Sequence, residues 1–323
     1  MAQNEIINQH YVPQVYLRRF TSKGNRIHVF DKKENRSFEP NIRNVAAERR
    51  FYDSEMLGQI TGDKQFIEKQ LGNIEGQYDI RCRAIISALD TGKFRKLKPK
   101  DRHFLSFYMA VQMFRTKEVR ITNEQMAQTM LILTKQWASA SELHLPPDEE
   151  ILGGASPEEV ARGAQHRALL DVEKLNEAAM ILYRHIWFID EAYGGEEFIT
   201  SDNPFVKRGH LSDEYRSMNG IACDGIEIMF PLSPKYLITM VDRHGFAHAE
   251  HFDGKRKALE CSEHMIYKNQ FQIQQSSRFV FSSCGDFSFT KTVLDEEPHN
   301  RDPDRRRFET NQDYKLGFEG SQD

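Results

Sequence analysis

Close to the N-terminus, the run His10-Tyr11-Val12-Pro13-Gln14-Val15-Tyr16-Leu17-Arg18-Arg19-Phe20 gathers a histidine, a glutamine, two arginines and several aromatic rings. Segments this near a terminus are usually polar unless something ties them down. A neutral imidazole near pH 7 serves as a general base or a metal ligand, and His10 is placed for either. An arginine beside it, Arg18 or Arg19, can grip a phosphate or carboxylate with two parallel hydrogen bonds. Arg115 falls on the same helical stripe as Phe104, Tyr108 and Val111. A guanidinium on an apolar face must be paired or must meet an anion. Gln112 lies one turn earlier, and Glu75 comes from the preceding helix. Asp202 and Asn203, in Thr200-Ser201-Asp202-Asn203-Pro204, follow a strand, where carboxylates of metal-dependent phosphodiesterases hold a divalent ion.

These residues define an expected site. His10, Asp202 and Glu75 would be catalytic, and Asp202 and Glu75 would share Mg²⁺ or Mn²⁺. Gln14, Arg18, Gln112, Arg115 and Asn203 would hold a phosphate-bearing substrate. Each has a structural counterpart. His10 would pin the terminus through backbone hydrogen bonds, Arg115 and Glu75 would join two helices, and Asp202 would close a turn ahead of Pro204. The spaced Asp followed by Glu-x-Lys of many nucleases is not present.

Arg26 to Asp31 alternates in polarity as a half-buried strand does. Phe66, Ile67, Leu71, Ile74, Tyr78, Ile85 and Leu89 recur at helical spacing over 64–90, and Thr91-Gly92 ends that helix. Pro99 opens a second helix to about 138, and a third is expected over about 158–184. Met109, Met113, Met126 and Met130 read as core filling. The period then shortens to two. Residues 186–189 and 197–200 suggest a hairpin around Tyr193-Gly194-Gly195, and 226–230 and 236–241 two more strands. A helix around 257–276 and a short strand at 279–281 close the pattern. Strands, helices and then strands indicate an α+β fold, with a helical middle packed against a mostly antiparallel sheet of N- and C-terminal strands. The expected organisation is a single domain over 1–294 (strands 1–60, helical 64–185, mainly strands 186–290) with a charged, flexible tail over 295–323.

The 323-residue chain carries a formal net charge of −4, so its bulk charge does not advertise nucleic-acid binding. Cys82, Cys223, Cys261 and Cys284 form no CxxC pair, which argues against a zinc ribbon and for reduced thiols in a cytoplasm. No apolar run reaches membrane-spanning length, so no membrane partner is expected.

The opening motif closely resembles that of the uncharacterised bacterial domain-of-unknown-function 4238 family. Similar pieces follow in order: Asn44-Val45-Ala46-Ala47, Phe51-Tyr52, Gln112 to Thr116, Thr200 to Pro204, Phe230 to Pro234, Asn269-Gln270 and Arg278 to Phe281. The resemblance spans about 8–285 and carries no settled activity with it. From the residues, the first expectation is a metal-dependent nuclease or phosphodiesterase acting on nucleic acid or another phosphate compound, in a setting such as phage defence. The alternative is a non-enzymatic binding or sensor module for a protein or nucleic acid. An open cleft containing His10, Arg115 and Asp202 would favour the enzyme, and fully paired residues in a closed core the module.

Overall fold

The computed structural model describes residues 5–213 and 217–308. In chain order the elements begin with β1 (Asn8–His10), the one-turn helix α1 (Gln14–Leu17), β2 (His28–Asp31), β3 (Arg36–Phe38) and β4 (Ala47–Arg49). The helical middle follows: α2 (Glu55–Thr61), α3 (Phe66–Asp90), α4 (Pro99–Arg115), α5 (Lys117–Ala140), α6 (Asp148–Ile151), α7 (Pro157–Leu170) and α8 (Val172–Arg184). Then come β5 (Ile186–Glu191), β6 (Thr200–Ser201), β7 (Val206–Gly209), β8 (Ile226–Ser233), β9 (Tyr236–Val241), β10 (Lys255–Ala258), α9 (Ser262–Gln275), β11 (Phe279–Ser282) and α10 (Ser288–Glu296). The fold is α+β, as the element order indicates.

Strands form three sheets among the described residues. β1 pairs with β4, the order β10-β5-β9-β8-β7 makes the largest sheet, and β3-β2-β11-β6 joins the two ends of the chain. All pairings are antiparallel except β10 with β5. The main core lies between the helices and the large sheet, where Tyr16, Tyr78, Tyr108 and Phe230 are buried together. The Tyr78 and Tyr108 rings stack at 3.8 Å. No described helix is long and apolar enough to cross a membrane.

Several boundaries differ from the periodicity reading. The expected helix over 99–138 breaks at Thr116, which is extended (φ −73°, ψ 159°). Gln165 of α7 donates to the carbonyls of Phe114 and Thr116 at 3.0 and 2.9 Å, so a distant amide satisfies the groups freed at the break. The third helix divides at Asp171, whose side chain accepts from Lys174 N–H at 3.0 Å and starts α8. The expected hairpin over 186–200 does not form, because β5 and β6 belong to different sheets. Phe198 N–H is taken by Pro234 O and Ile199 N–H by the Asn269 side chain. Met126 and Met130, expected as core, are 51% and 61% exposed. Periodicity places residues on one face without saying which face meets the core.

The charged stretch from Asp295, expected as a flexible tail, is docked as far as Phe308. Arg305 donates to the carbonyls of Gln274 and Ser276, both at 3.0 Å. Arg307 meets both oxygens of Glu118 at 3.1 Å, and Gln125 accepts from Arg307 N–H. These arginines bind carbonyls and a carboxylate that α9 and α5 expose, partners that composition does not reveal. Residues 309–323 of the expected tail lie outside the described residues.

Candidate functional site

Proline at position 13 breaks the extended entry of β1, and α1 starts immediately after it. This bend carries the backbone of His10 and Tyr11 onto α4. Arg115, 1% exposed, donates to His10 O and, at 2.9 Å, to Glu75 Oε1. Gln112 Nε2 donates to Tyr11 O at 3.1 Å, and Tyr52 OH donates to Arg115 O at 2.6 Å. His10, Gln112, Arg115 and Glu75 therefore do converge. The groups engaged are the carbonyls of His10 and Tyr11, so the contact ties a backbone down. Burial draws Arg115 down, and Tyr52, Glu75 and Tyr108 more than offset it, so the guanidinium stays charged. Burial also lowers His10, keeping its imidazole neutral.

Gln14 is half-buried at the first position of α1, and Arg18 faces solvent. Arg19 turns inward, with its guanidinium 4.9 Å from the Tyr78 ring centre and 3.0 Å from Asp79.

Asp202 lies at another joint, after β6. Its Oδ1 accepts from Ser277 N–H at 2.8 Å, and its Oδ2 from Arg278 and Phe279 N–H at 2.8 and 2.9 Å. One carboxylate thus organises the turn between α9 and β11. Burial raises Asp202 on balance, although the Phe279 and Arg278 N–H groups and Lys32 oppose it. Asn203 donates to Gln275 O at 2.9 Å, clamping the same turn. Lys32, fully buried, donates to Ile273 O and Ser276 O, both at 2.8 Å.

A cleft of about 520 Å³ opens beside this joint, lined by Tyr11, Ala46, Glu48, Lys117, Glu124, Asp202, Arg278 and Asp304 among others. Ala46 has left-handed backbone (φ +49°), and its carbonyl accepts from Tyr11 and Val12 N–H at 2.9 and 3.3 Å. Lys117 pairs with Glu48, and Arg278 grips Asp31 with two bonds of 2.9 and 2.7 Å. Tyr11 thus stands between the Arg115 clamp, which holds its carbonyl, and the cleft it shares with Asp202.

The expected Mg²⁺ or Mn²⁺ does not fit this donor set. Glu75 is committed to Arg115 and Asp202 to backbone amides, and no three His, Cys, Asp or Glu among the described residues come together as ligands.

Sequence reasoning missed a buried polar network on the large sheet. Lys268 of α9 lies 2.7 Å from Glu227 Oε1 and 3.4 Å from Asp190 Oδ2. Tyr267 OH and His210 Nε2 meet Glu227 Oε2 at 2.7 and 2.9 Å. Burial pushes Glu227 up, but Lys268, Tyr267 and His210 hold it at about 2. The available signal was polar residues inside apolar strands, Asp190 in Ile186–Glu191 and Glu227 in Ile226–Ser233.

The fold and its clamps define an α+β protein whose two conspicuous polar motifs fasten chain joints. The family described as "Protein of unknown function (DUF4238)" matches residues 8–286, and the chain belongs to it. No curated protein and no solved structure matches the chain.

Proposed function

We propose that the protein is a non-catalytic binding module whose cleft takes a basic stretch of a polypeptide partner. The supporting observation is the charge of the cleft. Of the four acids that line it, Glu48 pairs with Lys117 and Asp202 with backbone amides, which leaves Glu124 and Asp304 to face a ligand, while Arg278 is already matched by Asp31. A nucleic-acid backbone would meet like charge there, whereas a lysine or arginine side chain would meet opposite charge. A volume of about 520 Å³ lies in the range of ordinary ligand sites, enough for one or two side chains. Left-handed Ala46 on the wall adds support, since such strain in a non-glycine residue concentrates at binding sites. The four unpaired cysteines favour a cytoplasmic setting, and a sensor in phage defence is one role such a module suits.

The reading is tested by fluorescence anisotropy with a labelled arginine-rich peptide and with labelled single- and double-stranded DNA and RNA, with and without Mg²⁺ or Mn²⁺. The peptide is expected to bind, and the double variant Glu124→Lys/Asp304→Lys to weaken it at least tenfold with an unchanged melting temperature. Cleavage of any nucleic acid that folded His10→Ala and Asp202→Asn variants lose would overturn the module in favour of the nuclease.

A further inference from the structure

α5 carries two apolar stripes. One, with Ala127, Leu131 and Ala138, is buried on the side of the helix that packs with α7. The other consists of Val119, Asn123, Met126, Met130, Leu133, Trp137 and Ala140. These follow one another at alternating steps of four and three residues along the whole helix. Met126, Met130 and Trp137 are 51%, 61% and 64% exposed and lie on one line of the helix.

The pattern specifies its cover. A repeat of 3.5 residues is the seam of a left-handed pair of helices, with Asn123, Met130 and Trp137 at one core position and Val119, Met126, Leu133 and Ala140 at the other. The helix has 24 residues, about three heptads, enough for such a pair. The flanking positions decide between a foreign helix and a copy of the same one. They hold Thr122, Thr129 and Gln136 on one side and Arg120, Ala127 and Thr134 on the other, the side on which Ala127 is already buried toward α7. The single charge, Arg120, is turned inward onto Gln165 and Phe51 O at 2.9 and 2.7 Å. Partner choice between unlike helices is normally set by opposite charges at these positions, and identical helices need them free of like charge. Asn123, at a core position, would meet its own counterpart in a parallel pair, where two amides satisfy each other and fix the register.

The geometry points to a homodimer in which α5 of one copy pairs parallel and in register with α5 of a second. This inference is independent of the cleft. Sedimentation equilibrium of the full chain should give twice the chain mass, and Met130→Glu/Trp137→Glu should give the single mass with an unchanged circular dichroism spectrum. Under mild oxidation Trp137→Cys should cross-link to its own counterpart, whereas Leu143→Cys, exposed beyond the stripe, should cross-link no more than wild type. A wild-type chain that remains single at every concentration would overturn the inference, as would a dimer that survives the two glutamates. So would a chain that pairs only after residues 309–323 are deleted, because its own C-terminal segment would then be the cover.

Discussion

Removing the Asp202 carboxylate would strand three backbone N–H groups in a joint that is 1% exposed. An unsatisfied buried donor costs about 1–3 kcal/mol, so Asp202→Ala should lower stability by roughly 3 kcal/mol or more, measured by urea denaturation. Asp202→Asn, which keeps one acceptor oxygen, should lose about half as much. An unchanged denaturation midpoint for the alanine variant would show that the joint does not depend on this residue. Arg115→Lys should also destabilise, by about 2 kcal/mol. A single ammonium cannot reach both Glu75 and His10 O as the planar fork does, and breaking a buried pair strands its partner. Glu75→Gln should cost less, because Glu75 keeps 20% side-chain exposure and water can reach its site.

At the scale of elements, the docked segment over 302–308 is predicted to be structural. Glu118 accepts from Ser277 and from Arg307, so α5, the α9–β11 turn and the C-terminal segment share one carboxylate. Deleting 302–323 should lower the melting temperature by several degrees and expose the turn after Gln275 to proteolysis, and Glu118→Gln should reproduce part of the loss. Long helices such as α3 were legible in the sequence because Ile67, Leu71, Tyr78, Cys82, Ile85 and Leu89 keep one face buried over seven turns. The break at Thr116 was not, since it is fixed by Gln165, far away in sequence. The site was legible in part. The expected set of His10, Gln14, Arg115, Glu75, Asp202 and Asn203 does not come together as one site: Arg115 meets Glu75 and the His10 backbone, because a guanidinium on an apolar stripe needs a partner, whereas Asp202 and Asn203 close a separate turn. That the partners would be carbonyls of His10 and Tyr11 lay beyond any reading of side-chain types.

For the whole molecule, buried histidines set the response to acid. His10, His166 and His185 are all lowered by burial, His166 from 6.5 to about 4. The unfolded chain takes up protons near pH 6.5 and the folded chain resists until lower pH. Stability is therefore present above 6.5 and falls as pH drops toward 4. Glu68 acts oppositely. Burial raises it from 4.5 to about 7, so its contribution is lost as pH rises through that window. Asp202, which burial also raises, acts with Glu68, and three histidines against these two carboxyls predict a net fall in urea midpoint from pH 7 to pH 4. His166→Gln should flatten this fall, and a midpoint that rises on acidification would contradict the balance. Glu227, held at about 2, adds a second loss only in stronger acid.

The sheet order β3-β2-β11-β6 has a consequence for the ribosome. Phe30 pairs with Val280, so the edge of β2 is completed by a strand made about 250 residues later. At about 5–20 residues per second, roughly 12 to 50 seconds pass between them. Throughout that interval the nascent chain offers an unpaired strand edge, with Val29 and Phe30 not yet enclosed, to any other chain nearby. The newborn protein is thus most at risk of aggregation before β11 emerges, and a holding chaperone should occupy the β2–β3 hairpin until it does.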